Sequence, residues 1–117
     1  MVEHCAKALP DEGCGLFAVA EGTVTAVFPT DNLDRSPVGY TVPPQQHHDA
    51  LVAAEMNGWE IGGTFHSHPS GRAVPSRRDV KGALDPDWIH LILELGDDAV
   101  IRAWRIRGGR AREVILR

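Results

Sequence analysis

The chain has 117 residues, 43% hydrophobic and 24% charged, with 12 Gly and 8 Pro, proportions of one soluble globular domain that exclude collagenous, coiled-coil and disordered architectures. Twelve Lys and Arg against sixteen Asp and Glu leave a formal charge of −4, which speaks against nucleic acid as a partner. Two cysteines, Cys5 and Cys14, are too few for a disulfide framework, and no apolar run approaches the length of a membrane span.

The first element is a helix-like pattern from Val2 to Leu9, stopped by Pro10. Gly15 to Ala20 and Thr23 to Phe28 read as strands joined by a Glu21-Gly22 hairpin turn. Pro29 to Pro44 is a turn-rich connection holding a short strand around Tyr40 to Val42. Gln45 to Met56 is a helix closed by Asn57-Gly58, with Leu51, Val52 and Met56 expected to face inward. Glu60 to His66 is a strand running into a loop over His68 to Pro75, and Ser76 to Leu84 a short helix with Ser76 as its N-cap. Ile89 to Glu94 and Ala99 to Arg107 are strands, and Gly108-Gly109 turns into a last strand, Glu113 to Leu116. With no internal repeat or low-complexity linker, residues 1–117 read as one α/β domain of sheet and helices. Its N-terminus lacks an apolar signal core, so the expected compartment is a reducing cytoplasm.

The informative stretch is Phe65-His66-Ser67-His68-Pro69-Ser70-Gly71-Arg72-Ala73-Val74-Pro75-Ser76-Arg77-Arg78-Asp79. Residues two apart on a strand share a face, so His66 and His68 can present two imidazoles to one ion. The following loop is long enough to return Asp79 to the same point. Two His and one carboxylate leave a tetrahedral zinc ion one position for water, as catalytic sites do. Taken alone, His-x-His is often an exposed pair, and Ser76-x-x-Asp79 fits a helix capping arrangement. Together, residues of these types at these spacings arise by chance on the order of one time in ten thousand. A candidate base is Glu12, in the tight passage Pro10-Asp11-Glu12-Gly13-Cys14-Gly15. By residue type alone it is a surface acid, and spacing does not bring it to His66.

Glu12, followed by His66-x-His68, seven residues to Ser76 and then x-x-Asp79, resembles the complete signature of the JAMM (MPN+) metalloproteases. Pro-Asp-Glu-Gly-Cys-Gly-Leu resembles that family's entry into its first strand, and Asn32 with Asp34-Arg35-Ser36-Pro37 its stretch before the central helix. The likeness covers nearly the whole chain and is strongest to the short bacterial and archaeal members. It implies an α/β, cytidine-deaminase-like MPN/JAMM fold, a central mixed β-sheet flanked by helices. It implies zinc held by His66, His68 and Asp79, Glu12 as general base toward a zinc-bound water, and Ser76 stabilising the oxyanion. It further implies an amide substrate after the C-terminal glycine of a ubiquitin-like (β-grasp) or sulfur-carrier protein, while the net charge and short apolar runs give no nucleic-acid or membrane partner. Such a tail can lie along a sheet edge by strand addition, close to Arg72 and Val74.

Two alternatives remain at this level. His-Ser-His-Pro-Ser-Gly with Pro-Ser-Arg-Arg-Asp also resembles RadC-like proteins, although these usually carry an N-terminal helical segment. A non-catalytic MPN scaffold is the other. The remaining candidates read as structural: His47-His48 as surface residues, His90 as a core or edge histidine, Cys5 and Cys14 as packed thiols, and Trp59, Trp88 and Trp104 as core or edge packing. Charge is uneven: residues 100–117 carry six Arg and one Glu, or +5, against −9 over residues 1–99. That basic end is ordinarily a solvated strand face, with docking of an acidic partner through residues such as Arg102 and Arg112 as the alternative.

Overall fold

The computed structural model describes residues 1–115. Among them the elements run α1 (Val2–Ala8), β1 (Cys14–Ala20), β2 (Thr23–Thr30), α2 (Pro44–Met56), β3 (Glu60–His68), α3 (Arg77–Gly82), β4 (Ile89–Glu94), β5 (Val100–Arg107) and β6 (Arg110–Val114). The strands form one sheet in the order β2-β1-β3-β4-β5-β6. Only β3 and β4 are parallel, with α3 in the connection between them; every other pair is antiparallel. Both hairpins close on two residues of positive φ, Glu21-Gly22 (51° and 78°) and Gly108-Gly109 (55° and 76°), the left-handed geometry that matches the twist of the flanking strands.

The registers sort side chains by face, because directly opposite residues point the same way. Gly15, Phe65, Leu91 and Ala103 face one side. There Phe17, Phe65, Leu91, Leu93 and Ala103 form the buried cluster with Cys5 of α1. Cys14, His66, Ile92 and Arg102 face the other. That cluster occupies one face of the central strands; Leu16 and Ile92 are buried on the opposite one, from which the histidine pair also projects.

Four expectations are corrected. The buried residues of α2 are Ala50 and Ala54, whereas Leu51, Val52 and Met56 are 40, 40 and 82% exposed. The helix lies against β1 and β3 on its small-residue stripe, one turn apart, so bulk misled the choice of inner face. Tyr40 to Val42 is not a strand; the nearby pairing is an isolated bridge between Ser36 and Gly39. The last strand begins at Arg110, directly after the turn, and ends at Val114; Leu116 lies outside the described residues. That earlier start makes Arg107 oppose Arg110 and Arg105 oppose Arg112, which places four arginines on one face of the β5–β6 ribbon. β3 also runs two residues further than expected and includes both histidines.

Candidate active site

β3 ends on His66 and His68, whose Nε2 atoms lie 3.2 Å apart. The following loop carries the chain into α3, whose first turn brings Asp79 Oδ2 to 3.1 Å from His66 Nε2 and 3.0 Å from His68 Nε2. These three atoms form a nearly equilateral triangle. A tetrahedral zinc with bonds of 2.0–2.1 Å has ligand-to-ligand edges of about 3.3 Å, so the donor set fits such an ion in both chemistry and spacing. The His68 Nδ1–H donates to the Arg72 carbonyl at 2.8 Å, which leaves the Nε2 lone pair aimed into the triangle. His66 is fully buried, and its ring stacks on Tyr40 with centroids 4.5 Å apart.

Asp79 serves the helix as well. Its backbone N–H donates to Ser76 Oγ at 3.1 Å, while the Ser76 N–H donates to Asp79 Oδ2 at 2.9 Å, a complete capping box. The cap and the triangle use the same carboxylate, so the two readings of this spacing hold together. Ser76 Oγ accepts in that bond and keeps its own proton to donate elsewhere.

Glu12 reaches the site through strand register. Cys14 pairs with His66, and the ladder continues one step past β1. Gly13 N–H donates to Ser67 Oγ at 2.9 Å, and Ser67 N–H to the Gly13 carbonyl at 3.0 Å. The next step sets Glu12 against His68. Its N–H donates to the Ser36 carbonyl at 2.8 Å, and Asn32 Nδ2 donates to its carbonyl at 3.0 Å. Gly13 is required here: a Cβ would come within 2.7 Å of the Cys5 Cα. Ligand-capable atoms of Glu12, His66 and His68 lie within 4.8 Å of one another.

The electrostatics differ across these groups. Glu12 is 3% exposed and its Oε1 has no hydrogen-bond partner among the described residues. Burial pushes its pKa up from 4.5 to about 7, against the pull of His68. Burial raises the Asp79 pKa, but the two imidazoles set against its Oδ2 and the Ser76 N–H outweigh it and hold the carboxyl well below the usual range. Burial lowers His66 despite Asp79. For His68 burial also lowers, but Asp79 and the Arg72 carbonyl win and raise it. A cleft of about 170 Å³ opens beside the triangle, lined by Glu12, Val38, His68, Ser70, Gly71 and Ser76 among others.

All five sequence candidates, Glu12, His66, His68, Ser76 and Asp79, thus lie at one place. The others stay apart. His48 is exposed, and the His47 ring sits 5.6 Å from Trp88. His90 is buried, its Nδ1 3.5 Å from Thr64 Oγ1. Burial pushes the Cys14 thiol up to about 11, unsuited to a nucleophile. Trp104 does more than pack: its Nε1–H donates to the Ala73 carbonyl at 2.9 Å and ties down the loop between His68 and Asp79.

Sequence reading passed over Tyr40 and Ser67 and gave Asn32 no role. Asn32 Nδ2 also donates to the Gly39 carbonyl, and its Oδ1 accepts from Asp34 and Thr41 N–H groups. One amide side chain thereby fixes both the Glu12 backbone and the segment that carries Tyr40. The signal for Asn32 was its place in the stretch before the central helix; Tyr40, in an aperiodic loop, offered none.

Residues 1–107 match the family model for prokaryotic homologs of the JAB domain. The chain belongs to this family. As a prokaryotic JAB protein it is a hydrolase of the JAMM type. It is similar to the CysO-cysteine peptidase of Mycobacterium tuberculosis, 32% identical over 117 residues, covering 97% of this chain and 80% of that one. It is also similar to the desampylase of Haloferax volcanii, 37% identical over 86 residues, covering 71% and 62%. Among solved structures, a Desulfitobacterium hafniense protein superposes with a TM-score of 0.88 at 33% identity, covering 97% of this chain and 82% of that chain. A JAB1/MPN domain protein from Archaeoglobus fulgidus matches with a TM-score of 0.59 at 18% identity, covering 98% and 83%. The six-stranded mixed sheet with its helices is thus the JAB1/MPN fold.

Proposed function

We propose that residues 1–117 form a zinc-dependent peptidase domain that hydrolyses the amide or isopeptide bond after the C-terminal glycine of a ubiquitin-like or sulfur-carrier protein. The observation that carries this reading is the buried Glu12 carboxylate beside the His66–His68–Asp79 triangle. A base next to a three-donor site is the arrangement metal-assisted hydrolysis requires. The activities named for the two relatives, release of cysteine from a carrier and removal of a ubiquitin-like modifier, support the substrate class.

In this reading His66, His68 and Asp79 hold the ion. Zinc held there would supply a Lewis acid for the scissile carbonyl and make the attacking water more acidic. Glu12 takes one proton from the attacking water and returns it to the departing nitrogen, so water and amide become a carboxylic acid and an amine. Burial raises its pKa above the ordinary carboxylate value in the metal-free site, and a bound dication opposes that rise, so the carboxylate can both accept and return a proton. Ser76 Oγ, bonded to the Asp79 N–H as acceptor, turns its hydroxyl proton toward the oxyanion. The cleft beside the triangle, lined in part by Val38 and Gly71, suits a glycine tail, which has no side chains to accommodate. Both described cysteines are free thiols, in keeping with a reducing cytoplasm.

The test offers carrier–cysteine and carrier–lysine adducts to the zinc-loaded protein, the chelated protein and Glu12→Gln. One adduct should disappear with zinc only, and neither with Glu12→Gln. If the zinc-loaded protein leaves both adducts intact, the scaffold reading stands instead.

A further inference from the structure

We propose that Tyr40 is the positioning residue for His66: its ring face, rather than a hydrogen bond, sets the plane in which His66 presents Nε2 to the ion. The inference rests on the metal-site reading above and concerns a residue which that reading leaves without a role.

The two imidazoles of the triangle are supported differently. A metal-binding histidine ordinarily donates its second ring N–H to a carbonyl or carboxylate, which fixes tautomer and ring plane together. His68 follows that rule through the Arg72 carbonyl. His66 does not. Its Nδ1 is buried with no hydrogen-bond partner among the described residues, although its side chain is wholly enclosed. What lies against the ring is Tyr40, with centroids 4.5 Å apart and planes inclined by 24°.

A stacked ring can replace the missing bond. It blocks rotation of the imidazole about its last torsion without needing an acceptor. An imidazole that binds a cation through Nε2 becomes electron-poor, and the negative face of a phenol ring attracts such a group. Tyr40 is itself held in place. The residues on either side of it bond to Asn32, Gly39 through its carbonyl and Thr41 through its N–H. Its hydroxyl lies 3.4 Å from Thr64 Oγ1, which lies 3.5 Å from His90 Nδ1. Both contacts are long for hydrogen bonds of this kind, so the ring and its backbone anchors carry the effect and the hydroxyl adds little.

That distinction sets the experiment. Zinc affinity is measured by chelator competition, and the cobalt-substituted site by its visible absorption, for wild type, Tyr40→Phe, Tyr40→Leu and Tyr40→Met. Unfolding midpoints in chelator serve as the control for folding. Tyr40→Phe keeps the ring and should bind zinc within about threefold of wild type with an unchanged cobalt spectrum. Tyr40→Leu should bind at least about tenfold more weakly, the range for loss of outer-shell support, with an altered cobalt spectrum. Tyr40→Met supplies the same comparison if the leucine variant does not fold. Wild-type affinity in the leucine or methionine variant overturns the inference and leaves the metal site standing. Equal loss in Tyr40→Phe also overturns it, because the hydroxyl would then be the support. Failure of wild type to bind zinc overturns both.

Discussion

Gly13 and Ser67 exchange two hydrogen bonds, Gly13 N–H to Ser67 Oγ and Ser67 N–H to the Gly13 carbonyl. Both residues are buried, and the pair fixes the approach of Glu12 to His68. Replacing Ser67 with Ala leaves the Gly13 N–H without its acceptor inside the protein. The expected loss is about 1–3 kcal/mol of stability, read from urea denaturation, together with slower hydrolysis as Glu12 loses its register. Unchanged turnover in Ser67→Ala would separate the base from this ladder.

Glu12 gives a pH signature of definite sign. Its pKa in the folded chain is about 7, above the ordinary 4.5. As a base it acts ionised, so kcat/KM should rise with pH on an acidic limb that a bound dication draws below 7, and be lost in Glu12→Gln by about a hundredfold or more. Stability runs the other way. Between 4.5 and 7 the unfolded chain releases the proton while the folded chain retains it, so the wild type loses stability as pH rises through that window. In chelator, Glu12→Gln should therefore gain stability over wild type at pH 8 and show little gain at pH 4. Parallel stability curves across that range would show that the carboxylate is not desolvated.

Ser76 has two duties that one substitution separates. Glycine is nearly as good an N-cap, costing only a few tenths of a kcal/mol, whereas alanine costs about 1 kcal/mol. Ser76→Gly should therefore fold almost as well as wild type and still lose about a hundredfold in kcat, the usual consequence of removing one oxyanion donor. A Ser76→Gly enzyme of full activity would confine Ser76 to capping.

Zinc should stabilise the folded chain by linkage. At a free concentration one hundred times its Kd the gain is about 2.7 kcal/mol, visible as a higher unfolding midpoint that chelator reverses. Asp79→Asn should abolish most of that gain by removing the charged donor. If it responds to zinc as wild type does, the ion is held elsewhere.

Trp104 supports the site from a distance through the Ala73 carbonyl. Trp104→Phe removes the donor while keeping an aromatic ring. The expected result is about 1 kcal/mol less stability and a zinc affinity several-fold weaker, as the loop between His68 and Asp79 loosens. A melt and a chelator titration on the same sample decide it.

The legible part of the site was the local part. His66, His68, Ser76 and Asp79 lie within fourteen residues, and strand alternation with helix capping is enough to foresee where they point. Glu12 was visible only through family likeness, because its approach depends on the pairing of β1 with β3, a contact between residues more than fifty positions apart. Tyr40 was hidden for another reason. It sits in an irregular segment shaped by Asn32 side-chain bonds together with the Leu33–Thr41 backbone bond and the Ser36–Gly39 bridge, and no periodicity encodes that. The same limit explains α2, where apolar bulk suggested Leu51 and Val52 and the sheet accepted Ala50 and Ala54.

The two opposed arginine pairs, Arg105 with Arg112 and Arg107 with Arg110, have a consequence for the protein as a solute. Among the described residues β6 is the last strand of the sheet, and an open edge can recruit a strand from a neighbouring molecule. Like charges set across the ribbon at about 5 Å spacing, with only Arg107 of the four ion-paired within the described residues, to Asp87 at 3.4 Å, leave that edge with a positive surplus, so a second copy approaching edge to edge meets its own sign. This protection is electrostatic and salt weakens it. The basic end of an acidic chain thus acts as a fence, one that dilute buffer raises and concentrated salt lowers.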